Sequence, residues 1–116
     1  MHDYQQLRVW QAARDLAIET YQSTQSLPRS EMFGMTSQLR RAASSIAANV
    51  AEGAGRGTNG DFRRYLRIAA GSAAECETHL LIVTAVGILE PETAQTALQQ
   101  AASIKKMLHN LEASLT

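Results

Sequence analysis

The stretch Thr36–Arg56, TSQLRRAASSIAANVAEGAGR, decides the fold that this sequence predicts. Its apolar residues are spaced four, three and four apart, which is the pattern of a helix packed along one seam. The seam residues are Leu39, Ala43, Ile46 and Val50. Further alanines around the seam give this helix a thin cross-section, so neighbouring helices are expected to approach it closely. A glycine cluster after Glu52 predicts that the helix stops there.

Helical spacing also dominates the rest of the chain. The strongest periodic signal is an unbroken four-three seam in the third predicted helix, made of Phe62, Leu66, Ala69, Ala73, Cys76, Leu80, Val83 and Gly87. No segment alternates with period two, so no strand is predicted. Four helices with short links indicate an all-α fold, an antiparallel up-down-up-down four-helix bundle. We expect one domain over residues 1–116, with helices over about 4–26, 36–54, 59–87 and 91–115.

Capping residues predict where these helices begin and end. Asp3 is placed to cap the first helix, and Thr58 is placed to cap the third. Pro91 suits the first turn of the fourth helix because the missing amide is not needed there. In the run GAGRGTNG, either Gly53 or Gly55 is expected to take the left-handed conformation that closes a helix.

Several single residues carry predictions of their own. Trp10 and Tyr21 are expected to anchor the core rather than to contact a ligand. Phe33 and Met35 are expected to fold back over the end of the bundle. Gly71 lies in the middle of a helix, where glycine costs about 1 kcal/mol relative to alanine. A close crossing with another helix would explain why the glycine is tolerated.

Composition excludes some classes of protein. The single cysteine, Cys76, excludes an internal disulfide framework, and the longest apolar run is too short to span a membrane. No apolar segment typical of a secretory signal follows Met1, so a cytoplasmic location is expected. The 11 basic and 11 acidic residues cancel, which argues against a strongly basic nucleic-acid binder.

Charge is nevertheless unevenly distributed along the chain. Residues 29–67 contain seven arginines and three acidic residues, whereas residues 68–116 contain two lysines and five glutamates. Two interpretations remain open: the basic middle attracts nucleic acid, or it pairs with the acidic end across the fold. The arginines that form a candidate nucleic-acid surface are Arg40, Arg41, Arg56, Arg63, Arg64 and Arg67.

Two further groups of residues are candidates for a role. Asn49, Glu52 and Arg56 are expected to form a polar network, since a glutamate near a helix C-terminus needs a partner to offset the helix dipole. At the end of the third helix, apolar residues extend beyond the seam and are expected to form an oligomer interface. These interface candidates are Leu81, Ile82, Val86 and Ile88.

The sequence resembles a known family, the 23S rRNA intervening-sequence proteins, also labelled S23. The motifs that carry the resemblance are LxVWQ at 7–11, QLRRAAxSI at 38–46, NVAEG at 49–53 with Arg56, and LxIAxGSxxE at 66–75. The resemblance implies an antiparallel four-helix bundle that is often a homopentamer. A similar bundle is the accessory variability determinant of diversity-generating retroelements, a basic pentamer that binds nucleic acid and reverse transcriptase.

Enzymatic chemistry finds little support in the sequence. The glycines before the third helix could cradle a phosphate, but they lack the Lys-Ser/Thr of a P-loop, and a helix–helix turn is favoured. A di-iron bundle would need paired Glu-x-x-His motifs, and neither His79 nor His109 stands in one. Cys76 lies on the seam, where a thiol behaves as a small hydrophobe. We therefore predict no catalytic residue, no metal and no cofactor.

These observations favour a non-enzymatic, self-assembling bundle that acts as an interaction module. Its expected partners are further copies of itself, in a homo-oligomer that the family resemblance implies to be a pentamer. No membrane partner is expected, and a partner protein remains an alternative. The second hypothesis is an accessory protein that binds RNA or DNA through the arginine surface.

Overall fold

Four long α-helices form the molecule. A computed structural model describes residues 3–115, and Met1, His2 and Thr116 of the predicted domain lie outside the described residues. The helices are α1 (Arg8–Ser23), α2 (Ser37–Ala54), α3 (Asn59–Ala85) and α4 (Pro91–Ser114). The described residues contain no strand, and the all-α prediction is confirmed.

The helices run alternately up and down. Residues 55–58 link α2 to α3 and residues 86–90 link α3 to α4, and links this short force antiparallel neighbours. Each helix packs against the next, and α4 closes the bundle on α1. The longest dimension is 44 Å, close to the length of about 40 Å expected for the 27 residues of α3. No helix within residues 3–115 combines the length and apolar character needed to cross a membrane.

The core consists of the predicted seams. All four seam residues of α2 are fully buried, and so is the α3 seam from Phe62 to Val83. Alanine contributes much of this core, and the fully buried alanines of α2, α3 and α4 are Ala42, Ala43, Ala69, Ala73, Ala94, Ala97 and Ala101. Small side chains allow neighbouring helices to approach closely, and the thin cross-section expected for α2 stays a prediction.

The predicted first helix, 4–26, is divided into three pieces. Tyr4–Gln6 is a short 3₁₀ turn capped by the Asp3 carboxylate, and Leu7 is extended before α1 begins. This bend places the Tyr4 ring edge-on against Trp10, with 5.2 Å between the ring centroids. Trp10 packs partly against the core as predicted. The aromatic contact and the packing of Leu7 offset the lost helical hydrogen bonds.

The connection between α1 and α2 corrects two predictions. Tyr21 is 48% exposed and lies under the guanidinium of Arg40, 4.6 Å away, instead of anchoring the core. Phe33 is 96% exposed, whereas Met35 does pack against the core as predicted. The reason is a π-helical turn over Met32–Thr36, in which the non-helical backbone of Gly34 turns Phe33 outward.

Glycines close α2 and α3, but not at the predicted positions. Gly53 and Gly55 do not have a positive φ; the left-handed residue of this loop is Gly57, with φ of 91°. Gly53 serves close packing instead, since a Cβ there would lie 2.7 Å from the Cβ of Tyr65. The Thr58 hydroxyl accepts a hydrogen bond from the Asp61 amide, which confirms the predicted cap of α3.

The α3 helix ends two residues earlier than predicted. Gly87 has φ of 84° and is exposed, so it reverses the chain instead of extending the seam. The amides of Ile88 and Leu89 both bond to the Val83 carbonyl, which is how a left-handed glycine satisfies the last turn of a helix. Leu89 then fills the core position that Gly87 was expected to take.

Candidate functional site

An uncharged strip covers the solvent side of α3. Every residue from position 68 to position 86 that is exposed on this helix or its C-terminal cap is apolar, glycine or threonine. We call this strip the α3 outer face, and it consists of Ile68, Gly71, Ala74, Thr78, Leu81, Ile82, Ala85 and Val86. Eighteen residues of helix extend about 27 Å, so the strip is long enough to receive another helix.

Three of the four predicted interface residues lie on the α3 outer face. Leu81 is 57% exposed, Ile82 46% and Val86 65%. The fourth, Ile88, follows the chain reversal and packs partly against the core. The sequence did not indicate that Ile88 would pack against the core while the other three residues are exposed, because this difference depends on the left-handed conformation of Gly87.

Gly71 lies in the middle of the α3 outer face. A Cβ added there would meet no other atom within 4 Å. The predicted close crossing at Gly71 is therefore not made by another helix of the same chain, and that prediction is wrong for the single subunit. The glycine, Ala74 and Thr78 instead leave a shallow and uncharged stretch on the surface.

Charged residues on the flanks of α3 are paired with neighbouring helices. Glu75 accepts a hydrogen bond from Arg41 of α2 at 2.6 Å, and Glu77 pairs with Lys105 of α4 at 2.6 Å. The Arg41 guanidinium, together with His79 at 3.3 Å, holds the pKa of Glu75 below its ordinary value. These pairs lie on either side of the α3 outer face and leave it without charge.

The structure does not bring the six candidate arginines together. Arg40 turns toward α1, where it donates to the Thr24 hydroxyl at 2.9 Å. Arg63 donates to the Leu115 carbonyl, and Arg67 pairs with Glu112 of α4. Because Arg41 pairs with Glu75, four of the six candidates are engaged with other helices of their own chain.

The two remaining arginines share one aromatic ring. The guanidinium carbons of Arg56 and Arg64 lie 5.1 and 4.9 Å from the centroid of Tyr65. Arg56 also donates to the Tyr65 hydroxyl at 2.7 Å, and this hydrogen bond raises the pKa of Arg56. Arg64 makes no ion pair among residues 3–115. The close approach at Gly53 is what positions Tyr65 at this end of the bundle.

The predicted polar network is only partly assembled. Glu52 and Arg56 form an ion pair at 3.7 Å, one helical turn apart. Asn49 instead donates to the carbonyl of Ser45 at 2.7 Å, within α2. An asparagine inside a helix commonly satisfies its amide in this way, so Asn49 contributes to α2 alone.

Side chains suited to catalysis or metal binding are dispersed or buried. Cys76 is fully buried, and its burial raises the pKa of the thiol to about 11, so the nucleophilic thiolate is scarce at neutral pH. Residues 3–115 contain no group of three or more histidine, cysteine, aspartate and glutamate side chains that could hold a metal ion. The glycine loop forms a helix–helix turn.

Exposed apolar side chains concentrate at one end of the bundle, which the sequence did not reveal. Seven of the eight large hydrophobic residues that are exposed in the described chain lie where α1 and α3 end and α2 and α4 begin; Ile68 is the exception. Besides the three on α3, they are Ile18, Tyr21, Met32 and Phe33. A glycine directly after Phe33 was the one sequence signal for its outward position.

Comparisons with known proteins fit this architecture. A crystal structure at 1.70 Å of a protein with unknown function, from the S23 ribosomal protein family of Bacteroides thetaiotaomicron, matches with a TM-score of 0.80. The alignment covers 90% of this chain and 97% of that chain, at 23% sequence identity, and supports the same fold. A search of curated proteins gave no significant match.

The family comparison covers nearly the whole chain. Residues 5–110 match the 23S rRNA-intervening sequence protein family. The predicted similarity to the retroelement accessory determinant is not shown by these matches and stays a prediction. The span of the family match, together with the shared bundle, identifies the chain as a member of the 23S rRNA-intervening sequence protein family.

Proposed function

We propose that this protein is a non-enzymatic interaction module that assembles with copies of itself through the α3 outer face. The observation that carries the proposal is the absence of charge on the exposed residues of α3 between Ile68 and Val86. Apolar strips of this length are uncommon on monomeric proteins and mark interaction surfaces. The net charge of zero also removes the repulsion that would keep subunits apart.

The composition of the α3 outer face favours another helix as its neighbour. Gly71, Ala74 and Thr78 let a second backbone approach closely, and Leu81 and Ile82 supply apolar area at one end. The charged side chains Glu75 and Glu77 already have partners within the chain, so a neighbour need not neutralise them. A closed symmetric oligomer would bury the strip and stop further growth.

A matched pair of isoleucines tests the proposal. Ile82 and Ile18 are 46% and 50% exposed, but only Ile82 belongs to the α3 outer face. We expect Ile82→Asp to dissociate the oligomer and Ile18→Asp to leave its mass unchanged, because only the first buries a charge at a subunit contact. Light scattering coupled to size exclusion at micromolar concentration measures the mass. A wild-type protein that elutes as a monodisperse monomer would overturn the proposed function.

A second candidate function, binding of RNA, rests on the two arginines beside Tyr65. Arg56 and Arg64 are exposed and lie on one aromatic ring at the end of the bundle opposite to Phe33. Guanidinium groups grip phosphates, and a tyrosine adds a stacking surface for an unpaired base. This hypothesis does not involve the four arginines that contact other helices of their own chain, which are Arg40, Arg41, Arg63 and Arg67.

Fluorescence anisotropy with a structured RNA tests the second candidate. Replacing Arg56 and Arg64 by glutamine should weaken binding and flatten its salt dependence, since each lost phosphate contact removes counterion release. Arg14→Gln is the matched control, because Arg14 is also exposed and lies 5.5 Å from an aromatic centroid, that of Trp10. Equal losses from the control and the double variant would reject a specific role for the Tyr65 site.

A further inference from the structure

We propose that Phe33 of one subunit inserts into the groove between α3 and α4 of the next subunit. This inference rests on the self-assembly proposed above and adds the second surface of the contact. The groove lies beside the chain reversal, at the same end of the bundle as Phe33. Its lining residues are Thr84, Pro91, Glu92, Gln95, Leu98, Gln99 and Ala102.

Phe33 is held outward by its own backbone. The π-helical turn over Met32–Thr36 and the non-helical Gly34 direct the Cα–Cβ bond of Phe33 away from the core, and the residue is 96% exposed. The Glu31 carboxylate accepts a hydrogen bond from the Met35 amide at 3.3 Å and so closes this turn. An aromatic side chain has only two side-chain torsions, so it loses little conformational freedom on binding, which favours its use as an anchor.

The groove has the size and chemistry to receive an aromatic ring. It is an open groove of about 460 Å³ whose lining surface is mostly apolar, with Pro91, Leu98 and Ala102 among the lining residues. Thr84 lies three residues after Leu81, so the groove and the α3 outer face are neighbours on the helix surface. A partner seated in the groove therefore extends the proposed assembly surface without interruption.

Charges beside the two surfaces are complementary. Arg29 is exposed one turn before Phe33, and it has no ion pair within the described residues. Glu90 and Glu92 are exposed at the groove, at the start of α4, and they too are unpaired in the described part of the chain. Glu31 is half-buried, with its carboxylate on the Met35 amide, so Arg29 is the more exposed of the two charges beside the ring. Opposite charges at these positions would set the register of the contact.

The positions of the two surfaces suit a ring. Phe33 belongs to the connection between α1 and α2, whereas the groove is lined by residues of α3 and α4. Both lie at the end of the bundle where α4 begins. A contact between two different surfaces is heterologous, and it generates a closed ring when the rotation between subunits closes. A second copy of the chain would therefore provide both a groove for Phe33 and an aromatic ring for the groove.

Charge reversal with rescue between subunits tests the contact. Arg29→Glu alone and Glu92→Arg alone should each weaken association about tenfold, because like charges then meet across the interface. Combining both reversals in one chain should restore association, since every contact then again joins opposite charges, whatever the number of subunits. Arg8→Glu is the control, because Arg8 carries the same charge at the opposite end of the bundle. Sedimentation velocity over a concentration series measures the dissociation constants.

Phe33→Ser supplies an independent measurement. The ring is exposed, so we expect the helical content measured by circular dichroism to match wild type while association weakens about thirtyfold, as for loss of an aromatic anchor. If the wild-type protein forms an oligomer, and Phe33→Ser and both charge reversals leave its association unchanged, this inference is overturned. The proposed function would still stand. A monomeric wild type would overturn both. Restoration of association in the chain that carries both reversals, absent for either variant alone, is the result expected.

Discussion

Replacing Gly53 by alanine tests the packing that positions the loop end of the bundle. The added Cβ would lie 2.7 Å from the Cβ of Tyr65 and 3.1 Å from the ring of Phe62. Neither atom is the free end of a flexible side chain, so α2 and α3 must separate by several tenths of an ångström. Overpacking of this kind costs about 1–3 kcal/mol, against a gain in helix propensity of up to about 1 kcal/mol. We expect a net loss of about 1–2 kcal/mol.

Gly60→Ala is the matched control, because Gly60 is also helical and lies outside the α3 outer face, and no atom is within 4 Å of the added Cβ. Only the gain in propensity applies there, so the free energy of unfolding should rise by up to about 1 kcal/mol. Urea denaturation at one fixed protein concentration measures both variants against wild type. We therefore expect the same glycine-to-alanine change to lower the free energy of unfolding at Gly53 and to raise it at the control position. A Gly53→Ala variant as stable as the Gly60→Ala variant would refute the close approach of the two helices.

Three further predictions follow from burial and charge. Leu66→Ala and Leu80→Ala should each lower the free energy of unfolding by about 2–5 kcal/mol in urea titrations, since both side chains are fully buried; losses near zero would contradict the seam. The lowered pKa of Glu75 means that its pair with Arg41 stabilises the fold above the ordinary carboxyl pKa of 4.5. This contribution should be lost as the pH falls through the folded pKa, and Glu75→Gln should reduce the acid dependence seen in thermal melts. Cys76 should react with iodoacetamide only upon unfolding, so rapid labelling of the native protein would contradict its burial.

Periodicity predicted the core of this fold because the same geometry governs every turn of a packed helix. The α2 seam and the α3 seam down to Val83 are buried as expected. The prediction failed at turns, where one residue changes the direction of the chain. Gly57 and Gly87 hold the left-handed conformations, and the sequence offered several equally good glycines for the first of these positions. In the folded loop Gly53 packs against Tyr65 instead, a contact that the spacing of the glycines does not signal.

Function-bearing surfaces were harder to predict because they depend on partners distant in sequence. Spacing grouped Arg63, Arg64 and Arg67 on one helix, but spacing alone does not reveal what each side chain meets. Arg67 pairs with Glu112, which is 45 residues away, and Arg63 reaches a carbonyl 52 residues away. Arg64 is left beside Tyr65. The exposure of Phe33 likewise depends on a local π-helical turn that no periodic pattern signals.

Ion pairs between helices explain how the fold accommodates the uneven distribution of charge along the sequence. Arg41 and Arg67 belong to the basic middle, and their partners Glu75 and Glu112 belong to the acidic end, so the two regions neutralise each other across helix contacts. Much of the positive charge that suggested nucleic-acid binding is therefore neutralised by ion pairs within the subunit. What remains unpaired lies at the ends of the bundle, with Arg64 at one end and Arg29 near Phe33 at the other. Binding functions of this protein are accordingly expected at the bundle ends and along α3, and reversing charges in the middle should change stability more than binding.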